Sequence, residues 1–291
     1  MQRRNKIILK FGYIMQARLH KSPLRYPGGK SRAMKILKDF FPSDFSEYRE
    51  PFFGGGSVGL YLSQNLLYSH QTPFFFNDLN RDLYCFWNLL KTQNQALINE
   101  IENVKKHYKN GRELYESILS RRSENLDSFQ RAVDFFILNR ITFSGVVDCG
   151  GYSQKAFESR FTQSSIDRLK NMDSILRNCI FSNESYEKLL EQEGEGVFIF
   201  LDPPYYSASK SKLYGKKGDL HTSFNHQKLC DKLKKTKHKF LLTYDDSPYI
   251  RELYKDFYLY EYSVQYGMNN YKQAQAAKGA ELLISNFAVK Y

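Results

Sequence analysis

A strand-like run, a glycine loop and a helical pattern adjoin in EYREPFFGGGSVGLYL, and this stretch narrows the possible folds more than any other. Gly54, Gly56 and Gly59 satisfy Gly-x-Gly-x-x-Gly directly after the run and at the opening of the helix. Asp78 closes the next apolar run about twenty residues on, which completes a nucleotide-binding fingerprint. Glycines let the backbone come close to a ligand, and the carboxylate can hold a ribose diol by two hydrogen bonds. A glycine-rich turn that merely packs tightly is the plainer alternative. The fingerprint alone leaves NAD and S-adenosylmethionine open, because both bring an adenosine ribose to the same place.

Apolar runs of strand length, bounded by turn residues, recur at 47–53, 73–78, 179–183, 196–202, 239–245 and 280–287. Several, such as GVFIFL, are apolar on both faces, which suits a parallel sheet covered on both sides. Helical patterns at 57–67 and 225–235 lie between them. The alternation predicts an α/β doubly wound sheet. From about Leu83 to Asn178 the strand signal stops, and DLYCFWNLLK, QALINEIENVKKHYK and FQRAVDFFILNRI read as helices. An irregular, glycine-rich segment follows at 143–157. Roughly a hundred residues are too many for a loop in a compact fold. The expected organisation is an N-terminal extension (1–21), a ligand-binding domain (22–83 with 179–291) and an inserted, mainly helical domain (84–178). Met1 and Met15 both stand as starts.

GVFIFLDPPYY places Asp202, Pro203, Pro204 and Tyr205 at the carboxyl end of a buried strand, where open α/β sheets bind ligands. Two prolines fix φ and remove two N–H groups, so the preceding carbonyls and the acid stand as acceptors in a stiff turn. Acceptors suit an exocyclic amine, which is a double donor, and Tyr205 offers a flat face for a base. Hydride transfer has no use for this arrangement. An enzyme acting on a base extruded from a duplex does. A ligand-free proline turn is the alternative for the tetrapeptide taken alone.

RYPGGKS (25–31) ends like a phosphate-binding P-loop, but the pattern fails on counting. Leu24 stands where the first glycine is needed, the upstream ARLHKSPL is too polar for a buried strand, and Pro27 removes an N–H. The formal net charge of +12 predicts a polyanionic partner, nucleic acid first, against the alternative of a generally basic surface. No apolar run reaches the roughly 18 residues that cross a membrane, and the N-terminus does not read as a signal peptide. Cys85, Cys149, Cys179 and Cys230 are scattered, and His221 and His226 are one residue too far apart for an HExxH helix. Neither a disulfide framework nor a metal site is expected, and a reducing cytoplasm fits.

In order along the chain, RYPGGK, EPFFGGGS, FFFND, NRITFSG, FSNESY, FLDPPY and KGAELLISNF resemble the motifs of the Dam-like DNA adenine-N6 methyltransferases. The resemblance runs from about Ser22 to Phe287. It implies a Rossmann-like methyltransferase sheet, an inserted target-recognition domain and S-adenosyl-L-methionine as methyl donor. By that likeness Tyr26 and Lys30 contact the cofactor, Phe53, Gly54 and Gly56 hold its methionine end, and Asp78 holds its ribose. Many relatives carry Trp at the position of Tyr26 and Ala at that of Pro27, so the aromatic role persists and the turn differs. Asp202 would serve both the cofactor pocket and the target amine, with Pro203, Pro204 and Tyr205 completing the catalytic motif. Hydrogen bonds from N6–H to Asp202 and to the Pro203 carbonyl would turn the nitrogen lone pair towards the methyl group, and the rest is positioning.

For DNA contact the insertion offers Arg140, Phe143, Ser144 and Tyr152, with Phe143 as a wedge where the base leaves the stack, against the plainer alternative of a helix-capping or core residue for each alone. Lys210, Lys212 and Lys216, with Lys217 beside them, follow DPPY and are placed to meet phosphates. After the shared NRITFSG the chain reads VVDCGGYSQ and lacks Dam's arginine-bearing pattern, so GATC specificity is not implied. Double-stranded DNA is the expected partner, with the protein acting as a cytoplasmic monomer and any cognate restriction endonuclease acting separately. Three alternatives stay open: cytosine N4 as acceptor, RNA as substrate, and a DNA-binding module without catalysis. Protein-glutamine methylases favour NPPY, and Asp202 counts against them.

Overall fold

The computed structural model describes residues 19–65, 72–122, 124–206, 224–265 and 278–289. Among these residues seven strands form one sheet: β1 (Glu47–Glu50), β2 (Phe74–Asn77), β3 (Cys179–Ser182), β4 (Val197–Leu201), β5 (Lys239–Asp245), β6 (Tyr258–Gln265) and β7 (Lys278–Ser285). They lie in the order β3-β2-β1-β4-β5-β7-β6. β1 to β5 run parallel, and β7 lies antiparallel between β5 and β6. This is the Rossmann-like sheet expected for a methyltransferase.

The apolar runs locate six of the strands, and β6 is an addition. Among the described residues it pairs only with β7, as an edge strand does. Tyr262 is buried between the exposed Glu261 and Ser263, so polar residues interrupt the strand and leave no continuous apolar run. β1 is shorter than its run. Pro51 has no N–H to extend the ladder, and the Gly56 N–H donates to the Phe53 carbonyl at 2.8 Å, which turns the chain.

Alternation in β4 shows why both faces had to be covered. Phe198 and Phe200 enter one buried cluster, while Val197, Ile199 and Leu201 enter the other. The first cluster extends into the expected insertion. Leu83, Phe86, Trp87 and Leu90 recur at helical spacing along Arg81–Thr92 and share that core with Tyr48, Phe53 and Phe76. Asn80 starts this helix by accepting from the N–H groups of Asp82 (3.0 Å) and Leu83 (3.2 Å). The expected division at 83/84 therefore falls inside a helix that packs on the sheet.

The rest of the stretch is helical, as its pattern implied, with Asn94–His107, Gly111–Arg121 and Ser128–Ile141 the longest pieces. Ser128–Ile141 is buried at every position from Ala132 to Ile141, which marks it as the central helix of this region. Asp134 within it is matched by the Arg121 guanidinium, whose Nε donates at 2.9 Å.

Candidate active site

The chain leaves β1 for β2 on one side and β4 for β5 on the other, so a crevice opens over the carboxyl ends of these two central strands. A cavity of about 610 Å³ occupies it. Tyr26, Lys30, Phe53, Gly54, Gly56, Asp78, Asp202, Pro203, Pro204 and Tyr205 all line it. The sequence places these residues in four separate segments, and the fold brings them into one space large enough for a nucleoside-sized ligand.

At one end the loop after β1 passes beneath Tyr26. Gly54 has φ +49°, and a Cβ there would lie 2.8 Å from the tyrosine ring. Only glycine allows that approach. Asp78 joins this loop to β2: its Oδ2 accepts from the Gly54 N–H and its Oδ1 from the Asn80 N–H, both at 2.9 Å. Burial pushes its carboxyl up to about 6, against these two hydrogen bonds. Trp87 steadies the loop from beneath, donating from Nε1 to the Gly54 carbonyl at 3.0 Å.

Glu50 on the cavity wall escaped the sequence reading. It is buried, accepts from the Tyr48 hydroxyl at 2.9 Å, and burial first, then the charges of Asp202 and Asp78, hold its carboxyl well above the usual range. An acid inside EPFF was visible, but its environment was not.

At the other end Asp202 follows the last residue of β4. Lys30, 6% exposed, reaches its Oδ1 at 2.7 Å and its Oδ2 at 2.8 Å, and also donates to the Gly28 carbonyl at 3.0 Å. Lys30 Nζ lies 4.9 Å from the centroid of the Tyr205 ring. The lysine expected to contact the cofactor is thus also the partner of the expected catalytic acid. Thr243 on β5 donates to Asp202 Oδ1 at 2.7 Å. The Tyr205 hydroxyl donates to Glu281 Oε2 at 2.9 Å, and Tyr262 donates to the same oxygen. Thr243 and Glu281 were not among the expected site residues. Their one signal in the sequence is polarity inside an otherwise apolar strand.

The expected DNA-contacting residues lie in two different settings. Phe143 is 68% exposed and stands on a turn in which Ser144 has φ 55° and Gly145 φ 76°. Asn139 braces that turn, donating to the carbonyls of Gly145 (3.0 Å) and Arg25 (2.8 Å) while accepting from the Arg25 N–H at 3.0 Å. Tyr152 closes the segment by an antiparallel bridge to Thr142, with the Arg112 guanidinium 4.6 Å over its ring. Arg140 is different: it is 3% exposed, and its Nε and Nη2 have no hydrogen-bond partner among the described residues. Burial, and then the charges of Arg25, Arg168 and Arg160, lower its pKa to about 9. The arginine expected to contact DNA is thus held inside, near other arginines, as the alternative of a core residue would have it. Lys210, Lys212, Lys216 and Lys217 lie outside the described residues.

A nucleotide-type crevice closed by an Asp-Pro-Pro-Tyr turn, on a sheet with an antiparallel seventh strand, defines the class as a Rossmann-like methyltransferase. The family described as D12 class N6 adenine-specific DNA methyltransferase matches residues 26–268. This chain belongs to that family and is an adenine-specific DNA methyltransferase; the family in general depends on S-adenosylmethionine. A Type II methyltransferase of Lactococcus lactis subsp. cremoris, M1.LlaDCHI, is 24% identical over 283 residues, which cover 90% of this chain and 94% of the relative. M.CviBI of Paramecium bursaria Chlorella virus NC1A is 25% identical over 274 residues, covering 92% and 98%. A DNA adenine methylase of Vibrio cholerae is 26% identical over 247 residues, covering 80% and 84%. Among the described residues no helix is long and apolar enough to cross a membrane.

Proposed function

We propose that the enzyme holds S-adenosyl-L-methionine between the Gly54 loop and Asp78, and offers Asp202–Tyr205 to the N6 amine of an adenine extruded from duplex DNA. The observation that carries this reading is a single cavity that Asp78, Asp202 and Tyr205 all line. The residues fit the cofactor. Asp78 spends one acceptor position of each oxygen on a backbone N–H and keeps others for a ribose diol. Gly54 and Gly55 lie so close to Tyr26 that a side chain on either would strike it, since a Cβ on Gly55 would lie 2.6 Å from the tyrosine's own. Bound S-adenosylmethionine supplies a methyl group already activated on a sulfonium.

The protein's own part is orientation. Lys30 and Thr243 fix the Asp202 carboxylate, which then accepts from one N6–H while the Pro203 carbonyl accepts from the other. Tyr205 gives the ring a face to stack on. In the helical region, 84–178, Phe143 is the wedge that fills the vacated stack, and Ser144 and Tyr152 lie beside it. Arg140 and its neighbours Arg25, Arg160 and Arg168 supply the positive field for the backbone, joined by Lys210, Lys212 and Lys216. The enzyme acts as a cytoplasmic monomer, and any cognate restriction endonuclease works apart from it.

The test is transfer of labelled methyl from S-adenosylmethionine to unmodified bacterial DNA, with Asp202→Ala alongside and long-read sequencing of the product. N6-methyladenine in one short motif is expected, with transfer by the variant lower by about 100-fold or more. N4-methylcytosine in the product, or transfer confined to RNA, overturns the acceptor. Cofactor binding without transfer by the unaltered protein identifies a silent DNA binder.

A further inference from the structure

Glu281 stands between Ala280 and Leu282 in the middle of an apolar strand, and it is 2% exposed. The reversed direction of β7 sets it opposite Tyr262 on β6 and Asp245 on β5. Its Oε2 accepts from two phenols, Tyr205 at 2.9 Å and Tyr262. Its Oε1 is buried with no hydrogen-bond partner among the described residues. Burial raises the carboxyl, and the nearby Lys30 charge acts against that. A buried acid is costly unless something compensates for it, and an apolar residue of similar size would suit an apolar strand better. The position of Glu281 makes sense through what it holds.

Tyr205 is tied to the backbone only through Cβ, and the far end of such a ring swings about two side-chain torsions unless its hydroxyl is held. Here the hydroxyl is held, and by an acceptor that Tyr262 fixes in turn. The same ring lies against Lys30, the partner of Asp202, so its tilt also bears on the ion pair that orients the acid.

We propose that Glu281 is a positioning residue for methyl transfer: it fixes the plane of the Tyr205 ring, through that tyrosine's hydroxyl, before the target base arrives. The inference rests on Tyr205 being the wall against which the base stacks. Pre-setting that wall keeps the amine on line with the methyl group at no cost when the base enters.

The experiment compares single-turnover methyl transfer and cofactor affinity for the unaltered enzyme, Glu281→Ala, Glu281→Gln, Tyr205→Phe and the double variant Tyr205→Phe/Glu281→Ala, on a duplex carrying the site found by sequencing. Glu281→Ala should slow transfer about 10- to 100-fold, the scale of a misplaced reacting group, while affinity for S-adenosylmethionine stays within about twofold. Glu281→Gln keeps an oxygen for both phenols and should restore transfer to within about threefold of the unaltered enzyme. Tyr205→Phe keeps the stacking face but loses the tether, so it should match Glu281→Ala, and the double variant should fall no further. Transfer by Glu281→Ala at the unaltered rate, a glutamine variant no better than alanine, or losses that multiply in the double variant would each overturn the proposal. If the alanine variant does not fold, Tyr205→Phe decides alone: an unchanged rate sinks the tether. Absence of transfer by the unaltered enzyme is a separate result, because it refutes the functional reading and not the role of Glu281.

Discussion

At the scale of single residues, buried acids set the character of the cavity and of the residues behind it. Burial raises the carboxyls of Asp78, Glu50 and Glu281, and Lys30 stands beside Asp202 among them. Asp78 gives this a measurable consequence. Its carboxyl moves from an ordinary 3.8 up to about 6, so the unfolded chain ionises first as pH rises. Its stabilising contribution is therefore complete below 3.8 and is lost as pH climbs through about 6. On this account the unliganded fold should lose on the order of 2–3 kcal/mol across that window. Urea titrations at pH 4 and pH 7 should show a larger loss in the unaltered protein than in Asp78→Asn, which keeps the raised carboxyls of Glu50 and Glu281. Cofactor affinity should run the other way and rise through the same window, because the ionised carboxylate is the better acceptor for a ribose diol. In Asp78→Asn that rise should flatten.

At the scale of elements, the turn after Ser128–Ile141 shows how an irregular segment is made rigid. Ser144 has a left-handed backbone, uncommon for a residue with a side chain, and Gly145 continues it. The Asn139 amide holds the inner side, and the Phe143 N–H donates to the Gly151 carbonyl at 3.1 Å. Phe143 projects from this frame into solvent, where burial cannot account for it. Phe143→Ala should therefore leave the unfolding free energy within about 0.5 kcal/mol of the unaltered protein. Methylation of duplex DNA should nonetheless fall, by about tenfold or more in kcat/KM, if the ring fills the gap left by the base. A single-stranded substrate should lose much less, since it has no stack to fill. Equal losses on the two substrates would remove the wedge. The sequence marked this segment as glycine-rich and irregular. It did not show the bracing, because Asn139 bonds to Arg25, far back along the chain.

At the scale of the molecule, a formal net charge of +12 makes DNA binding depend steeply on salt. In the proposed reading Arg140 adds to that field, at a cost to the fold, since it is buried near Arg25, Arg160 and Arg168 with two of its nitrogens unpaired among the described residues. Arg140→Met should raise the unfolding free energy by about 1–4 kcal/mol, the gain seen when a costly buried charge gives way to packing. The same variant should bind duplex DNA more weakly, with a salt slope smaller by about 0.9 if one phosphate contact goes. Gain of stability with DNA binding untouched would make Arg140 a purely internal residue.

The sequence by itself determined what is set by neighbouring residues. Strands apolar on both faces, glycines where the backbone bends past a ligand, and the stiff Asp-Pro-Pro-Tyr turn are local requirements, and local sequence meets them. From these the α/β sheet, the cavity's two ends and the methyltransferase class were legible. The tertiary structure decided what depends on chain direction and burial. β6 alternates too weakly to announce itself, yet with the reversed β7 it sets Tyr262 and Glu281 behind Tyr205. Lys30 and Thr243 meet Asp202 only because the ends of distant segments converge over one crevice. The sequence leaves Arg140 open between a DNA contact and a core residue, and the fold makes it interior, because burial is a property of the packed helix and not of the residue.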